Sequence, residues 1–569
     1  MIGGQPLSNT VGAVLDPIVS LRRRVRLPPG TTVRVTFSTL VAPSREEAVD
    51  LADKYRDPAT FDRAATLAWT QAQVQLHHLG VERDEAHLFQ SLANHVLFSD
   101  RALRPSAGVL TRHIGSPAAL WAHGISGDIP IVLVRIDEPE DVGIVRQLLR
   151  AHEYWRMKQL PVDLVIVNER APSYIQDLQA LLETLVRTSQ SAAAHEGHGP
   201  HGSVFILRAD RMAAPERDVL LAAARVVLLS RRGTLAEQII HAQRPDNAPV
   251  SPQRRRAAAK PLADAPLPRP DLEFSNGVGG FAADGREYVT ILGEGQWTPA
   301  PWINVVANPA FGFQVSESGS GYTWSINSRE NQLTPWSNDP VSDPSGEAIY
   351  VRDEESGEVW GPTALPIRSA TGAYTIRHGQ GYSRFERVSH GISLELLQFV
   401  PLDDPIKVSR LTLTNQSARA RKLSVTAYVE WVLGVSRSAA APFVVTEMDS
   451  QTGAMLARNT WNRDFGARVA FADLGGAQTA WTGDRAEFFG RNGTPEHPAA
   501  LERGGRLSGR VGAGLDPCGA LQATIELPAG GRAEVVFFLG EAATREEAGE
   551  LIGRYRTADL AAVLRAVAE

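Results

Sequence analysis

The chain has one cysteine, Cys518, in 569 residues, and a single sulfur can form neither an internal disulfide nor a cysteine-clustered zinc site. It has no excess of positive charge. Against 58 Lys and Arg stand 64 Asp and Glu, a formal net charge of −6, with the arginines scattered among the acids. That distribution leaves no basic stripe for nucleic acid. No apolar run approaches the roughly 20 residues that cross a bilayer. The start, Met1-Ile2-Gly3-Gly4-Gln5, also lacks the charged-then-apolar order of a secretory signal. The expectation is a soluble polypeptide of a reducing compartment, with no membrane contact of its own. What is present, 43% hydrophobic and 21% charged residues, is ordinary for globular proteins. The length predicts about four domain-sized units.

One internal repeat orders the chain. Val11-Gly12-Ala13-Val14-Leu15-Asp16-Pro17, Leu27-Pro28-Pro29-Gly30, Ser44-Arg45-Glu46-Glu47-Ala48 and Tyr55-Arg56 recur without a gap at an offset of 500. The second copy reads Val511-Gly512-Ala513-Gly514-Leu515-Asp516-Pro517, Leu527-Pro528-Ala529-Gly530, Thr544-Arg545-Glu546-Glu547-Ala548 and Tyr555-Arg556. Each copy predicts a strand, a Pro/Gly turn, a second strand and a helix. In the first copy the strands are Leu21–Leu27 and Val33–Phe37. Each helix opens on a capping box, Ser44-x-x-Glu47 or Thr544-x-x-Glu547. The first copy thus reads as the end of one unit (1–43), and the chain as a piece of a longer tandem protein.

Between the copies the texture changes three times. Residues 44–115 have long helical periodicity and read as connecting helices. Residues 116–241 alternate short β-branched runs with helices, the pattern of a parallel, Rossmann-like α/β domain. Its predicted strands are 129–136, 162–168, 203–207 and 226–230. Residues 242–271, rich in Pro, Ala and Arg, read as a linker. Residues 272–543 carry short alternating strands between Gly, Pro, Asn and Ser turns, a large antiparallel sandwich. Residues 544–569 begin a further helical segment.

Two motifs point to ligands and do not carry them. Gly124-Ile125-Ser126-Gly127-Asp128 precedes its strand, whereas a phosphate-cradling turn follows a strand and opens a helix. His195, His198 and His201 have a spacing that would gather imidazoles around a metal, but they lie among glycines and read more simply as a loop. No cofactor is expected. The informative stretch is 275–366, which holds Trp297, Trp302, Trp324, Trp336 and Trp360 beside Asn, Arg, Glu and Asp. A sugar needs a flat apolar wall for its C–H face and planar donors and acceptors for its hydroxyls, and this stretch supplies both. The candidate carbohydrate-binding residues are Trp302, Asn304, Tyr322, Arg329, Glu330, Asn331 and Trp336. Asp339, Asp343 and Glu347 form an alternative set, the carboxylates of a self-contained glycoside hydrolase. A third reading makes the aromatics core and the chain a structural spacer.

Thr298-Pro299-Ala300-Pro301-Trp302-Ile303-Asn304, Asn308-Pro309-Ala310-Phe311-Gly312-Phe313, Gly321-Tyr322-Thr323-Trp324, Asn327-Ser328-Arg329-Glu330-Asn331-Gln332-Leu333-Thr334 and Trp360-Gly361-Pro362-Thr363 resemble the amino-terminal sandwich of glycoside hydrolase family 94 phosphorylases. The tandem repeat, Trp121–Asp128 and Asp163–Glu169 are similar to the cyclic β-1,2-glucan synthase family, which carries such sandwiches beyond a membrane-embedded glycosyltransferase. The resemblance implies a multidomain α+β protein with a galactose-mutarotase-like supersandwich. It also implies phosphorolysis of a β-glucan, with inorganic phosphate as co-substrate in the intact protein and an acid supplied by an (α/α)₆ barrel. No residue here matches that acid, so this chain alone is expected to be inactive. Its family protein would be associated with the inner membrane, this portion lying on the cytoplasmic side. There it would engage glucan and brace the barrel.

Overall fold

The computed structural model describes residues 6–13, 18–98, 101–111, 115–171, 177–192, 202–242, 270–369, 372–490, 493–502 and 506–569. They fall into two units, Met1–Gln90 and Ser91–Glu569.

In the first unit the two strands expected at Leu21–Leu27 and Val33–Phe37 do not form. Val19, Leu21, Val33, Val35 and Phe37 are exposed. What forms is local. The Thr31 amide donates to the Pro28 carbonyl at 3.3 Å, closing the turn. The helix Arg45–Lys54 starts at Ser44, whose hydroxyl accepts from the Glu47 amide at 3.2 Å. A helix closes its own hydrogen bonds, whereas a strand satisfies its backbone only across a neighbour. A longer helix, Pro58–Leu79, is capped by Asp57 and ends at Gly80, which takes a left-handed φ of 60°. A further helix, Arg83–Leu97, follows in sequence.

In the second unit short helical segments precede a parallel sheet of β1 (Ile131–Ile136), β2 (Asp163–Asn168), β3 (Val204–Arg208) and β4 (Ala224–Leu229), in the order β3-β2-β1-β4. Every residue of β2 is buried, as continuous apolar strands covered on both faces should be. The segment read as a linker lies almost wholly outside the described residues.

Next come β5 (Gly279–Phe281), β6 (Glu287–Leu292), β7 (Ile303–Ala307), β8 (Phe311–Ser316), β9 (Gly321–Ser325), β10 (Glu347–Asp353) and β11 (Val359–Trp360). They are followed by β12 (Tyr374–Gly379), β13 (Tyr382–Ser389), β14 (Ile392–Phe399), β15 (Ile406–Asn415) and β16 (Arg421–Glu430). The last are β17 (Val445–Met448), β18 (Met455–Arg458), β19 (Val469–Asp473), β20 (Ala480–Asp484), β21 (Pro517–Leu527) and β22 (Arg532–Ala542). Ten of these make one sheet, β17-β18-β19-β22-β15-β14-β13-β12-β6-β5, and five make another, β11-β10-β16-β21-β20. A three-stranded sheet, β7-β8-β9, adds Phe311, Phe313 and Val315 to the core between them. Alternation divides each strand between two faces. On β22, Val535, Phe537 and Leu539 enter that core, while Phe538 meets Leu551, Ile552 and Tyr555 of the helix Arg545–Thr557. On the five-stranded sheet Tyr350 and Tyr428 meet Phe488 and Phe489 of the short helix Arg485–Phe489.

The second copy of the repeat therefore supplies an interior strand to each sheet: β21 between β16 and β20, β22 between β15 and β19. The parallel sheet's layer packs directly on the sandwich. Arg104, buried, donates to the Pro442 carbonyl at 2.5 Å and the Ala222 carbonyl at 2.7 Å. Burial, with Arg225 nearby, pushes its guanidinium down to about 10. Leu110, Ala222, Val445 and Ala513 close a small core shared by the two layers.

Candidate functional site

The turn after β9 presents the most accessible of the expected residues. Asn327 accepts at its side-chain oxygen from the amides of Arg329 and Glu330, both at 2.9 Å, and so lifts that dipeptide out of the sheet. Arg329 and Glu330 lie 3.4 Å apart with side chains 82% and 44% exposed. Gln332 donates to the Arg329 carbonyl at 3.4 Å and accepts from the Trp336 amide at 3.3 Å, tying the start of the turn to the tryptophan that follows. Trp336 is 49% exposed and stands 5.9 Å from the Tyr322 ring, which in turn lies 5.2 Å from Trp324. The three rings make an aromatic ladder whose outer member faces solvent.

Other expected residues are occupied within the fold. Asn331 is buried; its amide donates to the Ser325 carbonyl at 3.1 Å and to Glu541 at 2.9 Å. Tyr322 is buried behind Trp336, and burial pushes its hydroxyl up. Trp302 belongs to a different aromatic group, edge-on to Tyr288 at 5.9 Å. Asn304 donates to the carbonyls of Gly379 and Tyr382, at 3.0 and 2.9 Å, and to the Ser383 hydroxyl, at 3.0 Å, pinning β7 to the β12–β13 hairpin. A polar side chain inside a sheet sandwich is held by backbone partners because an unpaired one would cost about 1–3 kcal/mol.

The carboxylates of the hydrolase alternative do not converge on a ligand. Asp339 accepts from the Ser342 hydroxyl at 2.5 Å and from the Ser342 and Val341 amides of its own turn at 3.1 and 2.9 Å, which together hold its carboxyl below the usual range. Asp343 accepts from the Ser316 hydroxyl at 2.6 Å, and burial pushes it up. Glu347 is held by Lys407 at 2.8 Å and by the hydroxyls of Thr323 and Thr334, both at 2.6 Å. Each of the three is thus held by partners within the fold. His195, His198 and His201 lie outside the described residues. Among the described residues no group of three His, Cys, Asp or Glu side chains could hold a metal ion.

The site also includes residues that the reading of 275–366 missed. Asn462 donates to the Glu330 carbonyl at 3.5 Å and to the Leu433 carbonyl at 3.2 Å, so a loop more than a hundred residues away supports the Arg329 turn. The run Asn459-Thr460-Trp461-Asn462-Arg463-Asp464 has the same mixture of aromatic and planar polar groups, and that composition was the available signal.

Below the Asn304 anchor, His378 sits 3.0 Å from the Ser383 hydroxyl, and burial pushes its imidazole down to about 4. The unfolded chain therefore takes up this proton first, so stability is lost as pH falls from about 6.5 toward 4. Urea unfolding at pH 7 and pH 5 should show wild type losing on the order of 1–2 kcal/mol more than His378→Gln. Equal losses in the two proteins would contradict this assignment.

The glycosyl hydrolase 94 supersandwich domain matches the chain over residues 1–58 and 286–558, and each stretch holds one copy of the repeat. Over 573 aligned residues, 99% of this chain, the sequence is 41% identical to the cyclic beta-(1,2)-glucan synthase NdvB of Rhizobium meliloti (strain 1021), of which it covers 20%. It is 29% identical over 289 residues to the solabiose phosphorylase of Paenibacillus borealis, covering 48% of this chain and 36% of that enzyme. To the N,N'-diacetylchitobiose phosphorylase of Vibrio proteolyticus it is 25% identical over 268 residues, 46% of this chain and 33% of the other. The chain thus spans between a fifth and about a third of the length of these relatives. With two antiparallel sheets packed face to face and a domain match over more than half of its residues, the chain belongs to the glycosyl hydrolase 94 supersandwich family.

Proposed function

We propose that this chain is a carbohydrate-engaging scaffold within a larger protein that builds or trims β-1,2-glucan, and that Trp336, Arg329 and Glu330 form its sugar-facing surface. The observation that carries the reading is the half-exposed Trp336 ring, backed by Tyr322 and tied through Gln332 to the turn that carries the exposed Arg329–Glu330 pair. A fixed ring offers a pyranose its C–H stacking face at low entropic cost, and the flanking ions offer planar partners for hydroxyls. Likeness to a glucan synthase along nearly the whole chain supports β-1,2-glucan as the ligand class. In this reading residues 1–43 end a first sandwich, 44–115 connect, 116–241 form the α/β domain, 272–543 form the second sandwich, and 544–569 lead toward a catalytic barrel. Phosphate, the general acid and attachment to the inner membrane belong to the rest of the protein. No helix among the described residues is long and apolar enough to cross a membrane.

Calorimetric titration of the chain with long linear β-1,2-glucan tests this. Wild type should bind weakly, about −4 kcal/mol, because an open surface encloses one side of the ligand. Trp336→Ala should weaken binding by about 1–2 kcal/mol, while urea unfolding shifts by less than about 1 kcal/mol. No binding by wild type, together with gross destabilisation of Trp336→Ala, would make the ladder core and the chain a spacer.

A further inference from the structure

The stretch Trp121-Ala122-His123-Gly124-Ile125-Ser126-Gly127-Asp128 ends in the glycine turn set aside above as a phosphate cradle, and the structure gives it another use. The chain folds back on itself, with Gly124 and Gly127 at φ of 75° and 81°, and the Trp121 indole donates to the Ser126 carbonyl at 3.2 Å. The bond fixes the ring while leaving Trp121 50% exposed. Gly127 is small for a reason: a Cβ there would come within 3.3 Å of the Trp461 ring. Trp461 stacks on Phe443 at 4.4 Å, so this corner of the α/β domain is where it seats on the sandwich. The next two residues of the sandwich loop point in two directions. Asn462 holds the Glu330 carbonyl, and the Arg463 guanidinium lies 5.2 Å from the Trp121 ring centre. Trp121 and the Arg329–Glu330 turn are thus attached to consecutive residues.

We infer that Trp121 is a second sugar platform, continuous with the Trp336 surface through Arg463, and that it takes more distant glucose units of the same β-glucan chain. This rests on the reading of Trp336 as a sugar-facing ring. An indole held in place by its own N–H and steadied by a guanidinium loses little freedom when a pyranose stacks on it. A surface that runs from the sandwich onto the α/β domain also gives that domain a task that its parallel sheet alone does not explain.

The test compares ligand lengths on the full chain, with a β-1,2-linked glucotriose and a long linear β-1,2-glucan as probes. Trp121→Ala should lower affinity for the long glucan about five- to tenfold and leave the glucotriose unchanged, while Trp336→Ala weakens both. Trp121→Phe, which keeps a flat apolar face, should recover most of the long-glucan affinity and shows that the fold survives replacement. If Trp121→Ala binds the long glucan as wild type does, or loses affinity equally for both lengths, the second platform is refuted while the Trp336 reading stands. If wild type binds neither probe, both fall together.

Discussion

Glu347→Gln is expected to destabilise the sandwich by about 3–5 kcal/mol, the usual cost of removing one partner from a buried ion pair. Glu347 opens β10 in one sheet, Lys407 lies on β15 in the other, and their 2.8 Å contact bridges the sheets. Lys407 is 3% exposed at its side chain, with its ammonium 4.1 Å from the centre of the Phe313 ring. Burial alone would push the Glu347 carboxyl up, but the Lys407 charge and the donors Lys407, Thr323 and Thr334 bring it below its ordinary 4.5. Without the carboxylate the ammonium has the Phe313 face and no counterion among the contacts described for it. The double variant Glu347→Gln/Lys407→Met should return to within about 1–2 kcal/mol of wild type, because an apolar replacement of similar volume needs no counterion. The sign in pH follows from the lowered carboxyl. The pair contributes in full above pH 4.5 and is lost as pH falls through the folded value. Urea unfolding checks all three statements, and a single variant within 1 kcal/mol of wild type would contradict the first.

Leu521→Ala and Leu21→Ala change equivalent positions of the repeat and should give opposite results. Leu521 is fully buried on β21, opposite Ala427 of β16 and Trp481 of β20. Its truncation should cost about 2–5 kcal/mol, the range for a leucine removed from a core that cannot collapse around the gap. Leu21, 76% exposed and outside any strand, should change stability by no more than about 0.5 kcal/mol. Denaturant midpoints of the two variants make the comparison. A large effect at Leu21 would mean that the first copy is buried in the isolated chain.

Much of the fold was legible because its signals are local. The parallel strands expected at 129–136 and 162–168 form at Ile131–Ile136 and Asp163–Asn168, where β-branched runs stand between amphipathic helices. The site was less legible. Asn331, between Glu330 and Gln332, looks like its exposed neighbours in sequence, yet it turns inward to Glu541, 210 residues away. Glu347 reads as a loop acid until Lys407, 60 residues on, is seen across the sandwich. Trp121 reads as part of a glycine turn until Arg463 is placed over its ring.

The two copies of the repeat separate what the sequence by itself determined from what tertiary structure decided. Both close the Pro–Gly turn, Thr31 to Pro28 at 3.3 Å and Gly531 to Pro528 at 2.9 Å. Both start their helix on a hydroxyl cap, Ser44 or Thr544, at 3.2 Å. Those features need only partners three residues away, so sequence suffices. Strands appear in the second copy alone, where β16 and β20 flank β21, and β15 and β19 flank β22. A strand's backbone groups and its apolar face are satisfied by other strands, and only the assembled sandwich brings those strands together.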